Sequence, residues 1–183
     1  MTLGDAKRRV LMLLDEYSTD GVVRADADIS ARMNDFFDMA QRDIAAWQPI
    51  VRRKSVTLDG SGEQTLPDDV SRVIDIKRDG RRAALFEVVD GKLVYKSGDT
   101  SAVTIDYLAS PRAITPETPD DYAFEVSDEA ANCLPYFVAA QQLVADLVVD
   151  YGAFYNLYLQ LRALLPRTGA GASKPLRQAL YRG

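Results

Sequence analysis

The stretch that decides the fold runs from Asp106 to Gln141, DYLASPRAITPETPDDYAFEVSDEAANCLPYFVAAQ. It begins with the alternating pattern of a β-strand and ends with the continuous apolar pattern of a buried helix. Between these patterns lie three prolines and six acidic residues, with no lysine or arginine from Glu117 to Glu129. We interpret this part as a solvated, proline-stiffened return path between a sheet and a helical layer.

Helical periodicity dominates the chain before the sheet. Apolar residues spaced by three and four predict a first amphipathic helix from Thr2 to Tyr17, with Thr2 as its N-cap. A second helix is predicted to start at the N-cap Asp28 and to stop at Pro49. Its buried face should contain Ile29, Met33, Phe36, Ala40, Ile44 and Trp47.

From about Arg53 to Leu108 the pattern is that of short strands. β-branched residues become frequent, and turn signals recur at Asp59–Gly62, Asp79–Gly80, Asp90–Gly91 and Ser97–Asp99. This spacing predicts an antiparallel β-meander.

Two further helices are predicted after the acidic connection. Ser127 should cap a helix that is apolar nearly all round to Val149, with Pro135 producing a kink or a late start. A last amphipathic helix near Tyr151 should end at Pro166. The helical core is expected to contain Leu134, Phe137, Val138 and Leu147, packed against Val10, Leu14, Ile29, Phe36 and Ile44.

These elements predict an α+β fold in three parts. Residues 1–50 and 127–166 should form a four-helix bundle from the N- and C-terminal helix pairs. Residues 51–126 are the inserted antiparallel β-region with its acidic, proline-rich return linker, and residues 167–183 are an extended C-terminal arm.

Composition argues against an enzyme. The 183 residues include no histidine and one cysteine, Cys133, which we expect to be a buried apolar residue. The acidic cluster follows a linker instead of converging with a basic residue, and the Gly-containing stretches lack the spacing of a phosphate loop. We therefore expect no catalytic residue, no metal site and no cofactor. The N-terminus does not have the pattern of a signal peptide, which favours a reducing cytoplasm.

Two groups of residues are candidates for interactions. An aromatic set on the last helix should be core or subunit interface, since no basic groove accompanies it; it consists of Tyr151, Phe154, Tyr155 and Tyr158. The arm should dock on a neighbouring chain through four cations and an apolar trio; these are Arg167, Lys174, Arg177 and Arg182, with Leu176, Leu180 and Tyr181. The four charges leave −9 for the rest of a chain whose total is −5.

The order of elements resembles that of the head–tail connector proteins of tailed bacteriophages, also called adaptor or head-completion proteins. Three stretches carry the resemblance. They are LPDDVSRVIDIKRDG at Leu66–Gly80, VTIDYLASPRAITPETPDD at Val103–Asp121, and the apolar helix LPYFVAAQQLVADL at Leu134–Leu147.

The resemblance implies a role in assembly. It implies a homo-oligomeric ring of twelve copies, without catalytic activity, in the neck of the virion, assembled in the host cytoplasm. The ring would attach below the portal protein, extend the DNA channel and present a platform to the next neck or tail protein. DNA would then be passing cargo, and no membrane is involved.

One alternative of another class stays open from the residues alone. A β-rich surface module that binds carbohydrate or protein would need exposed aromatic residues on the sheet. The strands offer only Phe86, Tyr95 and Tyr107 as candidates.

Overall fold

The computed structural model describes residues 1–14, 27–83, 85–145 and 152–166. Within these ranges the helices are α1 (Leu3–Leu13), α2 (Ala27–Trp47), α3 (Asp128–Ala131), α4 (Leu134–Ala145) and α5 (Gly152–Leu164). The strands are β1 (Ile50–Thr57), β2 (Glu63–Thr65), β3 (Val70–Arg78), β4 (Arg81–Arg82), β5 (Glu87–Val89), β6 (Lys92–Val94) and β7 (Ala102–Ala109). The protein therefore combines helices with antiparallel sheets, as an α+β fold requires.

The strands form two sheets, ordered β1-β7-β3-β4 and β2-β6-β5. The last strand, β7, lies between β1 and β3, so the prediction of a meander in chain order was wrong. The physical reason is burial. Along β7 the side chains of Val103, Ile105 and Tyr107 are buried, whereas β1 is largely exposed and takes an edge.

The predicted turns are confirmed where both central residues have positive φ. Asp79 and Gly80 have φ of 49° and 74°, and Asp90 and Gly91 have 48° and 73°. Asp-Gly suits this conformation because aspartate tolerates it and glycine has no Cβ to clash. These two turns connect β3 to β4 and β5 to β6.

The helix ends follow the sequence signals closely. Thr2 caps α1 in a capping box, because its hydroxyl accepts from the Asp5 N–H and the Asp5 carboxylate accepts from the Thr2 N–H. α2 ends at Trp47, before Pro49, but begins at Ala27, so Asp28 lies inside the helix instead of capping it.

The third predicted helix is interrupted. Ser127 caps α3, and its hydroxyl accepts from the Ala130 N–H at 3.2 Å. α3 stops after one turn, and α4 then begins at Leu134 with Pro135 in its first turn, where a missing N–H costs nothing. The late start predicted from Pro135 is confirmed.

Two hydrophobic clusters fill the molecule, one among the helices and one in the sheets. α4 contacts α1, α2 and α5. Of the expected helical core, five residues are buried and three are partly buried, while Leu147 lies outside the described residues. The buried ones are Val10, Ile44, Leu134, Phe137 and Val138, and the partly buried ones are Leu14, Ile29 and Phe36. On α2 the fully buried aromatic residue is Phe37, not Phe36.

Candidate functional site

The acidic connection lies against α2. Three amide side chains at seven-residue spacing are buried along one side of this region: Asn34 and Gln41 on one face of α2, and Gln48 directly after its last residue. We call these three residues the carboxamide ladder, and residues 110–127 the return segment. The return segment runs along the ladder, so the prediction of a solvated linker was wrong for its backbone and its apolar side chains.

The carboxamide ladder binds the backbone of the return segment directly. Asn34 Nδ2 donates to the Thr115 carbonyl at 2.7 Å. Gln41 Nε2 donates to the Arg112 carbonyl at 3.1 Å, and Gln41 Oε1 accepts from the Glu125 N–H at 3.0 Å.

The ladder also reaches the two ends of the helical region. Gln48 Oε1 accepts from the Ser127 hydroxyl at 3.0 Å, and its Nε2 donates to the Pro166 carbonyl at 3.1 Å. On the same helix, Asp38 Oδ1 accepts from the Ile114 N–H at 2.9 Å. The backbone of an irregular segment thus finds side-chain partners that a sheet or helix would otherwise supply.

Apolar packing complements these hydrogen bonds. Four side chains of the return segment are buried, and Phe124 packs on Phe37 with ring centroids 5.6 Å apart. The four are Pro111, Ile114, Tyr122 and Phe124. The acidic part of the segment stays exposed, including Glu117, Asp120 and Asp121.

The return segment also holds the start of α1. The Leu3 N–H donates to the Tyr122 carbonyl at 2.8 Å, and the Gly4 N–H donates to the Asp120 carbonyl at 2.9 Å. A Cβ on Gly4 would lie 3.0 Å from the Asp120 Cβ, so a larger residue at this position would force the two segments slightly apart.

Ion pairs join the return segment to the sheet. Arg52 of β1 contacts Asp69 at 2.5 Å and Glu125 at 3.0 Å. The Arg112 N–H donates to Glu125 at 2.8 Å, and the Tyr107 hydroxyl donates to Asp69 at 3.2 Å. Charges from both layers therefore meet at the base of the sheet.

A second charged cluster lies within the four-stranded sheet. Asp106 of β7 accepts from Arg53 Nε at 2.5 Å and from Lys77 Nζ at 2.6 Å. These two hydrogen bonds lower the pKa of Asp106 from 3.8 to about 2.

The predicted aromatic set divides between core and surface. Tyr158 is fully buried, and its hydroxyl donates to Asp43, as does Arg162 at 2.5 Å. Burial and the neighbouring Asp43 carboxylate both raise the pKa of Tyr158. Phe154 is partly buried and Tyr155 is 37% exposed, while Tyr151 lies outside the described residues.

The outward face of α5 carries no charge. Ala153, Asn156, Gln160 and Ala163 are exposed at its centre. Leu157 and Leu164 lie along one edge, with Leu164 82% exposed, and Tyr155 lies along the other edge. The sole charged residue of α5 is Arg162, which pairs with Asp43 instead of facing outward alone. Depletion of charged residues is typical of the centre of a protein–protein interface.

The other predicted interaction residues lie outside the described residues. They are Arg167, Lys174, Leu176, Arg177, Leu180, Tyr181 and Arg182 of the arm. Docking of the arm on a neighbouring chain therefore stays a prediction.

The sheet aromatics do not form the surface that the alternative function requires. Tyr95 and Tyr107 are buried, and the Arg78 guanidinium lies 5.4 Å from the centre of the Phe86 ring. A carbohydrate-binding module typically presents such rings to solvent, so these three residues do not favour it.

Three further observations concern chemistry and location. Cys133 is buried, its thiol donates to the Glu129 carbonyl, and burial raises its pKa. Among the described residues, no group of three or more acidic or cysteine side chains is arranged to hold a metal ion. No helix in the described ranges has the length and apolar character needed to cross a bilayer.

Comparison with known proteins does not assign the chain to a family. No protein-family model matches the chain, and the search of curated proteins found no match. The resemblance to phage connectors therefore stays a prediction from the sequence motifs.

Removing the central amide of the ladder should destabilise the protein. We expect Gln41→Leu to lower the free energy of unfolding by about 2 kcal/mol or more, because the Glu125 N–H loses its acceptor and the Arg112 carbonyl loses its amide donor. Urea denaturation measures this difference. Gln160→Leu, the same change on the exposed face of α5, is the matched control. Equal stability of the two variants would show that the ladder does not hold the return segment.

Asp106 should make stability depend on pH in the acidic range. Its pKa is lower in the folded protein, so its contribution is complete above about pH 4 and is lost as the pH falls through about 2. Asp106→Asn should be less stable than the wild type at pH 7, with a difference that shrinks between pH 4 and pH 2. Urea denaturation at several pH values tests this. Asp68→Asn, at an exposed carboxyl, is the control and should keep the wild-type pH profile of stability. If the stability difference between Asp106→Asn and the wild type stayed constant from pH 7 to pH 2, Asp106 would not be the source of the pH dependence.

Proposed function

We propose that this protein is a structural head–tail connector of a tailed phage and that its copies form a ring below the portal. The proposal starts from the resemblance of three sequence stretches to that family. The structural observation that supports an assembly role best is the uncharged outward face of α5, because a face of this kind gains stability when a neighbouring subunit covers it.

We propose that the helices act as the body of each subunit. α4 is central, since it contacts α1, α2 and α5, and these four helices would form the expected bundle. The ordered return segment supports this role, because a subunit that transmits load between two assemblies benefits from a backbone held by buried hydrogen bonds.

The charge distribution fits a protein through which DNA passes. Residues 110–166 contain eight acidic and two basic residues, whereas residues 50–109 contain ten of each. An acidic surface repels the phosphate backbone, so DNA would pass such a channel without adhering to it. In this proposal DNA is cargo, and the protein partners are the portal on one side and a neck or tail protein on the other.

Ring formation tests the role of α5. We expect the wild-type protein to form rings, alone or with its cognate portal protein, in negative-stain images and by light scattering. Leu157→Glu combined with Leu164→Glu should fold normally but weaken ring formation by about tenfold or more, because two charges would be buried unpaired at the interface. Val51→Glu, at an exposed apolar residue of the edge strand β1, is the control. Rings that survive the α5 double substitution would contradict this interface, and a protein that forms no ring and binds no portal would contradict the connector function.

The arm is tested separately. We propose that its four cations steer the encounter with the portal and that its apolar trio anchors it. A chain ending at Arg167 should keep the wild-type melting temperature, because the described helices and strands are complete without the arm. It should bind portal-containing particles at least about tenfold more weakly. Equal binding by the shortened and full chains would show that the arm does not dock.

A further inference from the structure

A basic groove lies at the end of the four-stranded sheet that points away from the helices. The β3–β4 hairpin places Arg78, Arg81 and Arg82 around a cavity of about 530 Å³, and Lys96 joins them from the chain after β6. The exposed Leu85 and the partly buried Phe86 also line it. We call these six residues the basic groove.

The cations of the basic groove are poorly neutralised within their own molecule. Among the described residues, the side chains of Arg81 and Lys96 have no hydrogen bond or ion pair. Arg82 is 84% exposed and reaches only Asp75, at 3.4 Å. Arg78 pairs with Asp99, but its Nε is buried without a hydrogen-bond partner. The groove therefore has unused capacity for a negatively charged partner.

The lining favours an acidic protein segment over a nucleic acid. Asp79 and Asp99 also line the cavity and would repel a continuous run of phosphates. The Phe86 ring is covered by Arg78, so it offers little surface on which a base could stack. Leu85, by contrast, is 80% exposed, and an apolar side chain beside cations suits a peptide that combines carboxylates with apolar groups.

The protein itself carries such a segment. Residues 116–121, which we call the acidic shelf, read Pro-Glu-Thr-Pro-Asp-Asp, and both prolines are exposed, Pro116 before Glu117 and Pro119 between Glu117 and Asp120. The side chains of Glu117 and Asp121 have no partner among the described residues. Asp120 pairs with Lys7 and is still 69% exposed.

The acidic shelf is already held in one conformation. Asn34 binds the carbonyls of Thr115 and Pro116, the Thr118 N–H donates to the Thr115 carbonyl at 2.9 Å, and Gly4 binds the Asp120 carbonyl. A segment that is ordered before binding loses less conformational entropy when it docks.

The groove and the shelf of one molecule cannot meet. β3 starts at Val70, which pairs with Ala109 where the return segment begins, and Lys77 pairs with Thr104, five residues or about 17 Å further along the sheet. The shelf lies on the opposite side of that starting point, against α1 and α2. The two surfaces can therefore combine only between different molecules.

We propose that the acidic shelf of one copy docks in the basic groove of a second copy. Glu117 and Asp121 would face Arg81, Arg82 and Lys96, while the exposed prolines would cover Leu85. Such a contact joins two different surfaces, so it is heterologous and repeats from copy to copy. The proposed contact rests on the proposed function only because it would be one of the subunit interfaces of the ring.

A charge exchange between two full-length variants tests the contact. The groove variant combines Arg81→Glu with Arg82→Glu, and the shelf variant combines Glu117→Lys with Asp121→Lys. Wild-type protein should self-associate in sedimentation velocity at about 50 mM salt and less at about 300 mM, because charge pairs at an accessible interface are screened. Each variant alone should associate at least about tenfold more weakly than the wild type.

An equimolar mixture of the two variants should regain association, because each groove then meets a shelf of opposite charge. The matched control mixes the groove variant with a protein that combines Arg81→Glu and Arg82→Glu with Asp68→Lys and Glu129→Lys, so that two lysines are added at exposed carboxylates elsewhere while no basic groove is left to bind a shelf. Recovery with the shelf variant and not with this control supports the proposal. Equal recovery with both, wild-type association that the groove variant leaves unchanged, or no self-association of the wild type at low salt would each overturn it. All variants should keep the wild-type melting temperature, since the substituted side chains are exposed.

The outcomes separate this proposal from the connector function and from nucleic-acid binding. Rings that form with both variants would reject the contact and leave the connector function standing. Salt-dependent self-association without rings or portal binding would support the contact and contradict the connector function. Duplex DNA carrying a fluorescent label is the third probe: if the groove variant loses DNA binding in anisotropy titrations while self-association is unchanged, the groove binds phosphate and the proposed contact is wrong.

Discussion

The hydrogen bonds of the carboxamide ladder are the constraint on which the rest of this structure depends. The return segment has neither helix nor sheet over most of its length, so its backbone polar groups need other partners once they are buried. An amide side chain can donate and accept at once. Gln41 therefore satisfies the Arg112 carbonyl and the Glu125 N–H together, which neither a carboxylate nor an aliphatic side chain can do. The prolines reduce the number of N–H groups that must be satisfied.

Fixing the return segment also fixes the elements around it. The start of α1 is held through the backbone of Tyr122 and Asp120, and the base of the sheet is held through Arg52 and Glu125. The same path turns the carboxylates of residues 117–121 outward, because the apolar residues on either side of them face α2. The acidic shelf is thus a consequence of how the segment packs, and its ordered presentation follows from buried hydrogen bonds some residues away.

The uneven distribution of charge between the helices and the sheet links the fold to the proposed assembly. The helical side is acidic and ends in an uncharged α5 face, while the far end of the sheet is a hairpin that presents exposed cations, Arg81 and Arg82. Surfaces that differ in this way suit heterologous contacts between copies better than a contact of one surface with itself. The partly exposed Asp43 pairs with Tyr158 and Arg162, which keeps the single charge of α5 away from its outward face.

The sequence by itself determined the local features of this protein. Thr2, Pro49 and Pro135 set helix boundaries, and two Asp-Gly pairs set hairpins, because caps, prolines and positive φ act through neighbours in the chain. The carboxamide ladder also left a signal, since its amides recur every seven residues along α2 and at the residue that follows it, and would have indicated a buried polar face. Tertiary structure alone decided that β7 lies at the centre of its sheet and that Phe37 replaces Phe36 in the core. It also decided that the acidic connection packs on α2 and that Tyr95 and Tyr107 are buried. These outcomes depend on contacts between residues far apart in the chain, whose burial is shared among several elements and cannot be assigned from the periodicity of any one of them.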